Sequence, residues 1–423
     1  MTSTASTLPA EYEAAVRRDT SETTASQRDR FHLPVGRDGR PKAYLAGQSL
    51  GAQPVAARAA VEERLDAWAR LGVDGWFDPA RPWIDVEREL AGATARLVGA
   101  APSEVTTANT LTINLHLLLA AFYRPNGRRR RILIDAPTFP SDRYAVESQL
   151  RHNGLDPASD LVVVRPRDGE ETIRPDDLDD AIGRNGDELA VALLAGVNYA
   201  TGQAFDIRRH TGVIHAAGAI AIWDLAHSAG NVPMDLHDDG VDAAAWCTYK
   251  YLNSGPGALA QLFIHERFSD SVATPRLAGW WGNDPRSRFA MAETFAPGPG
   301  ADGFRISTPP ILSLAPIAVS LAMFDEVGMP ALRARSIALT GELERLIETH
   351  VPDATIITPR DPSARGCQLT IRVRDAHERL RALEAFDVVV DVREPDLIRL
   401  APVPMYCSFE DVVRAVDALR QTS

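Results

Sequence analysis

Asp224 and Lys250 are the residues whose type and spacing point most directly to chemistry. One is an acid in Ile222-Trp-Asp-Leu-Ala-His227, the other an amine in Cys247-Thr-Tyr-Lys-Tyr-Leu-Asn253. Lys42 and Lys250 are the only lysines among 45 basic residues, the rest being arginine. A guanidinium stays charged at any workable pH and cannot act as a neutral amine nucleophile. A lysine kept against that background is a candidate for work only a primary amine performs, above all a Schiff base to a carbonyl cofactor. Lys42 follows a proline in a Gly/Arg-rich stretch and reads as incidental. Lys250 closes an apolar run and precedes Gly255-Pro-Gly257, where an α/β enzyme places a catalytic group. The plainer alternative is a strand-end lysine stretched toward water.

Asp224 ends an apolar run, so its carboxylate points into the crevice where open α/β sheets bind ligands. Helix capping is the competing use. His227, three residues on, is close enough to share the site, or is a satisfied structural histidine. An acid and a lysine on successive strands are what pyridoxal phosphate (PLP) requires. The acid pairs with the pyridine nitrogen and the amine with the aldehyde carbon. Asn109-Thr-Leu-Thr112 opens a helix and offers a phosphate site, with a simple N-cap as the alternative. Phe139, in Pro137-Thr-Phe-Pro-Ser-Asp142, could stack on a flat ring or belong to the core. Gly255-Pro-Gly257 lacks the third glycine of a dinucleotide loop. His210, His215, His227 and His237 form no paired-histidine motif, so no catalytic metal is expected.

These groups need a scaffold, and the hydrophobic pattern supplies one. Ala56, Val61, Leu65, Trp68 and Leu71 recur at helical spacing; further helices are predicted near 10–18, 85–98 and from 109. Short apolar strands are predicted at 131–135, 161–164, 189–195, 219–224, 243–249 and 259–264. Helices near 141–152, 175–183 and 207–218 separate the earlier ones. Continuous apolar strands interleaved with helices imply an α/β domain with a mostly parallel sheet covered on both faces. A long helical region is predicted over 311–350. Strands at 355–357, 368–373, 388–392 and 397–401 and a helix over 409–419 then form a smaller α+β domain. The expected divisions are an N-terminal segment, 1–40, partly irregular; a large domain, 41–310; a connecting region, 311–350; and a small domain, 351–423.

Composition excludes several classes. A net charge of −12 argues against nucleic acid, which needs a cationic face. The basic run Arg128 to Arg131 reads as a solvated loop. Cys247, Cys367 and Cys407 are few, odd in number and scattered, which fits a reducing cytoplasm and neither a disulfide framework nor a zinc cluster. The N-terminus lacks the apolar stretch of a secretory signal, and the longest apolar runs are too short for a bilayer.

The longer strings resemble the kynureninase family, fold-type-I PLP enzymes of the class-V aminotransferase group. The resemblance rests on Phe139-Pro-Ser-Asp142, Tyr199-Ala-Thr-Gly202, Asp224-Leu-Ala-His227, Cys247-Thr-Tyr-Lys-Tyr-Leu-Asn253, Gly279-Trp280 and Arg399-Leu-Ala-Pro-Val-Pro404, in family order from about Tyr44 onward. It implies PLP-dependent hydrolysis of the Cβ–Cγ bond of L-kynurenine in tryptophan breakdown, on the way to NAD. It makes Lys250 the Schiff-base lysine, Asp224 the pyridinium partner and His227 part of the ring-side network. Phe139 would stack on the ring, with Leu111, Thr112, Asp142 and Tyr249 around the cofactor and Tyr249 a proton donor. Trp280 and Thr308 would reach the phosphate from a second subunit, making a homodimer obligatory. Arg399 would grip the substrate carboxylate, with Ser49, Trp76 and Ser307 also at the substrate.

Departures are Gln48 where the family usually has Asn, and Trp76 and Thr308 where members preferring 3-hydroxykynurenine have His and Asn. Ala195 lacks a hydroxyl found in some relatives. They bear on ring substituents of the substrate. Other readings left open are an aminotransferase, a desulfurase or β-lyase, a biosynthetic enzyme for a substituted kynurenine, and a PLP-fold protein without turnover.

Overall fold

The computed structural model describes residues 8–21, 26–269 and 273–421. Parts of the segment 1–40 therefore lie outside the described residues.

The central sheet has seven strands: β1 (Val105–Thr107), β2 (Arg131–Asp135), β3 (Leu161–Val164), β4 (Leu189–Ala195), β5 (Ile220–Asp224), β6 (Ala243–Cys247) and β7 (Ala260–Ile264), in the order β1-β7-β6-β5-β4-β2-β3. β6, β5, β4, β2 and β3 are parallel, and β7 runs antiparallel to both of its neighbours. The inner strands β4, β6 and β7 are almost wholly buried, which is why they read as unbroken apolar runs. The chain steps outward from β2 to β3, then crosses back to β4 and proceeds the other way through β5 and β6. The connections after β2 and β4 thus diverge and leave a crevice at the strands' carboxyl ends.

Two predicted helices are interrupted. The region 85–98 divides into a turn at Trp83–Asp85 and helices Val86–Glu89 and Ala91–Val98. The helix expected from Asn109 starts at Leu111, because Asn109 takes a left-handed backbone (φ 53°) that cannot continue a helix. The region 311–350 is not one rod. Helices Ile311–Val327 and Met329–His350 meet at 83° about Gly328, whose φ of 80° suits glycine. No single helix among the described residues is long and apolar enough to cross a membrane.

The smaller sheet is antiparallel, β8 (Thr355–Ile356), β9 (Leu369–Arg372), β10 (Asp391–Arg393) and β11 (Leu397–Leu400), in the order β8-β9-β11-β10. The strand expected over 388–392 is split. Val388–Val389 pairs in parallel with Ala43–Tyr44, and only the later residues join β11. A second core unites Leu8, Ala15, Ala43 and Leu45 with Leu339, Leu343, Ile371, Leu400 and Phe409. Helix Pro9–Ser21 therefore packs with the carboxyl-terminal elements, far along the chain from its own position.

Candidate functional site

One cavity of about 210 Å³ opens at the carboxyl ends of β2, β4, β5 and β6. Register explains the room above Asp224. Ala195 on β4 and Ala245 on β6 are its direct cross-strand partners, so small side chains flank the carboxyl. Asp224 Oδ1 accepts the Ala226 N–H at 2.8 Å, which fixes the acid in its turn. Lys250 stands in the turn after β6. Its carbonyl accepts the Asn253 N–H at 3.0 Å, while the neighbouring Tyr249 carbonyl accepts the Gly51 N–H at 2.8 Å. Lys250 Nζ lies 5.8 Å from the Phe139 ring centroid and 6.0 Å from that of Tyr249. The Lys250 amine has no hydrogen bond or ion pair among the described residues, although the side chain is only 9% exposed.

The helix Leu111–Phe122 points its amino end at this cavity, lined there by Thr110, Leu111 and Thr112. Asn109 Nδ2 donates to Asn114 Oδ1 and Asn114 Nδ2 to the Ala108 carbonyl, each at 2.9 Å, so the entry turn is held. No side chain caps the first turn, whose N–H groups remain available to an anion.

The electrostatics are unusual. Asp135, Asp142 and Asp224 all line the cavity. Burial raises the Asp135 carboxyl to about 6, against the pull of the N–H groups of Ala195 and Asn198. Burial and the adjacent Asp224 push Asp142 well above the ordinary carboxylate range. Burial, with Lys250 and Arg399 nearby, drives His227 well below its usual value, so the imidazole is neutral. Its buried Nδ1 has no hydrogen-bond partner among the described residues. Burial and the adjoining Cys247 raise the Tyr249 phenol, which keeps its proton at neutral pH.

The structure therefore brings Leu111, Thr112, Phe139, Asp142, Asp224, His227, Tyr249 and Lys250 to one cavity. Arg399 and Ser49 lie directly behind it. Arg399 Nη1 donates to the carbonyl of the cavity residue Tyr199 at 2.7 Å and Nη2 to Ser49 Oγ at 3.0 Å. Trp76, Trp280, Ser307 and Thr308 do not line it. Trp76 packs edge-on against Trp83 and tilts against Trp281, while Trp280 is 47% exposed and Ser307 and Thr308 are exposed. Asp135, Asn198 and Asp391 were not singled out from sequence. Asp135 carries the same strand-end signal as Asp224; Asn198 and Asp391 carry none. An amine and an imidazole nitrogen that have no partner among the described residues, an acid in the same cavity and an uncapped helix start are a donor set that suits a flat, anionic pyridine.

The carboxyl-terminal residues 332–419 match the family model described as "Kynureninase C-terminal domain". Proteins named kynureninase are similar along nearly the whole chain. The one from Myxococcus xanthus is 48% identical over 404 residues, 95% of each chain. That from Salinispora tropica is 48% identical over 421 residues, 97% of each. That from Xanthomonas oryzae pv. oryzae is 50% identical over 399 residues, covering 93% of this chain and 94% of its own. Among solved structures, the cysteine desulfurase CsdA from Escherichia coli superposes with a TM-score of 0.75 at 16% identity, covering 93% of this chain and 97% of its own. The apo cysteine desulfurase from Thermococcus onnurineus NA1 gives 0.74 at 17%, covering 90% and 94%. C-DES with glycine covalently linked to its PLP cofactor gives 0.75 at 17%, covering 90% and 96%. At such identities these likenesses establish the fold, that of fold-type-I PLP enzymes.

Proposed function

The chain belongs to the kynureninase family, and from that kinship we propose that it hydrolyses the Cβ–Cγ bond of L-kynurenine to anthranilate and L-alanine in the cavity shared by Lys250 and Asp224. The observation that carries this reading is similarity over 93 to 97% of the chain to enzymes of that name.

PLP, when bound, supplies an electron sink for charge arising on the substrate's carbon atoms. In our reading Lys250 would hold the cofactor's aldehyde carbon, and its amine would move the proton at the substrate α-carbon. Asp224, anchored by the Ala226 N–H, would pair with the ring nitrogen. The start of helix Leu111–Phe122, with Thr112, would take the phosphate. Phe139 would stack on the ring, and the neutral His227 and Asp142, which line the same cavity, would belong to the network around it. Arg399 and Ser49 bind the α-carboxylate, a group whose two oxygens match a guanidinium fork. Water adds its oxygen to the γ-carbon, which leaves as the anthranilate carboxyl. The β-carbon takes a proton, from the protonated Tyr249 phenol, and becomes the methyl group of alanine.

Trp280 and Thr308 do not line this cavity, and we place them in the cavity of a second copy. Large exposed apolar side chains in this region support such a dimer: Phe77 at 60%, Phe289 at 46% and Met291 at 75% exposure. Trp76, Ser307 and Thr308 then face the substrate ring and favour kynurenine over its 3-hydroxy analogue. Three buried free cysteines suit a reducing cytoplasm. Degradation of tryptophan is the role we assign.

The test offers PLP-loaded protein both kynurenines in competition. Anthranilate fluorescence, with L-kynurenine preferred, supports the reading. Kynurenate instead would mark an aminotransferase.

A further inference from the structure

Arg399 is fully buried, yet its donors are almost all taken. Asp391 on β10 and Arg399 on β11 are direct cross-strand partners. Arg399 Nε donates to Asp391 Oδ1 at 2.7 Å, and Nη2 donates to Asp391 Oδ2 and, at 3.0 Å, to Ser49 Oγ. Nη1 donates to the Tyr199 carbonyl at 2.7 Å. A guanidinium has five N–H bonds. Four are engaged, and the paired edge that would grip a carboxylate side-on already holds one.

Asp391 has other partners in reach. Arg393 Nη2 stands 3.3 Å from Oδ2, and Gln48 Nε2 donates to Oδ1 at 3.3 Å. Ser49 Oγ donates to Oδ2. Gln48 Oε1, fully buried, has no partner among the described residues, so this cluster is not closed upon itself. Burial alone would raise the Asp391 carboxyl, but Arg399 and Ser49 hold it below the ordinary range.

We propose that Asp391 is a resident carboxylate in the fork of Arg399, displaced onto Arg393 by the substrate's own α-carboxylate, and so a specificity-determining residue. The inference rests on the reading of Arg399 as the carboxylate clamp. The physical reason is twofold. A buried guanidinium left without a counter-charge is costly, so the empty site needs an internal anion. Two carboxylates cannot share one fork without repulsion, so a ligand must carry its own negative charge to dislodge Asp391. Arg393 is the half-exposed cation that receives Asp391 when it moves. A neutral analogue leaves the Asp391–Arg399 pair intact and docks without the clamp.

The test uses PLP-loaded holoenzyme, with L-kynurenine as substrate and its α-carboxamide as a matched neutral inhibitor. Asp391→Asn removes the competing charge and keeps the shape. It should lower KM for L-kynurenine about 3- to 10-fold with kcat within about twofold, and leave the inhibition constant of the carboxamide unchanged. Arg393→Gln should raise KM for L-kynurenine about threefold, with the same lack of effect on the carboxamide. A KM in Asp391→Asn that rises, stays the same, or moves in step with the carboxamide constant overturns the proposal. If that variant does not fold, Asp391→Ser is read by the same criteria. Arg399→Gln separates this inference from the reading beneath it. It should raise KM for L-kynurenine at least tenfold and spare the carboxamide. An unchanged KM there removes the clamp itself, whatever Asp391 does.

Discussion

The two ends of the central sheet treat buried charge in opposite ways. At the amino ends of the parallel strands, two buried acids, Glu104 and Asp242, are fully partnered. Glu104, just before β1, accepts N–H groups from Ala101 and Glu266 and the Nδ1 of His237, each at 2.9 Å. Asp242, just before β6, accepts the Ala221 N–H at 2.7 Å, His215 Nε2 at 2.8 Å, and Arg267 Nη2. Burial alone would raise both carboxyls, but these partners outweigh it and lower them. Glu104, His237 and His265 place one ligand atom each within 4.8 Å of the others, and the carboxylate is already fully engaged by main-chain donors and His237. At the carboxyl ends, Asp135 and Asp142 are raised by burial and by an acidic neighbour, and Lys250 has no counter-ion among the described residues. The first arrangement stabilises the fold. The second leaves charge unsatisfied, as sites built for a ligand do.

The comparison breaks if substitutions at the two ends act alike. Lys250→Arg should have the largest effect, lowering kcat by at least roughly 10³-fold while the thermal midpoint of the apoprotein stays put. Near-normal turnover of kynurenine would remove the amine from the mechanism. Asp224→Asn keeps the bond to the Ala226 N–H and should still cost about 10²-fold or more in kcat, read by anthranilate fluorescence. Asp242→Asn should do the reverse. It should leave kcat within about twofold and lower unfolding stability by about 1–3 kcal/mol, because buried donors lose their acceptor. Asp242 is lowered on folding, so its contribution is present above the ordinary value of 3.8 and is lost as pH falls through its lower folded value. Denaturant titrations at pH 7 and pH 3 should show the wild-type advantage shrinking at acid pH.

The smallest effect belongs to His237→Asn. Glu104 raises the imidazole, so its contribution is present below 6.5 and is lost as pH rises through the raised value. The pair is partly exposed, and less than about 1 kcal/mol should separate variant from wild type at pH 5.5, and almost nothing at pH 9. An advantage that grows with pH would contradict the pairing.

Much of the site could be read from the chain because strand-end chemistry is local. Asp224 and Lys250 each close an apolar run, and Phe139 and Thr112 each sit at the start of a helix. Asp135 closes a run in the same way. Its significance depends on Asn198, 63 residues on, which no periodicity reveals. Arg399 resembled a carboxylate clamp, but Asp391 opposite it follows from the β10–β11 register. The bend at Gly328 was hidden because both flanking helices satisfy the same period.

Sequence by itself determined the alternation of strands and helices, the parallel sheet and the strand-end acid and amine that line the cavity, since these follow from local hydrophobic period and residue type. Tertiary structure alone decided which charges meet partners and which do not. Tyr199 and Arg399, 200 residues apart, come together only through packing of the two cores. Electrostatic energy depends on distance and burial, and neither is encoded in the spacing of residues along a chain.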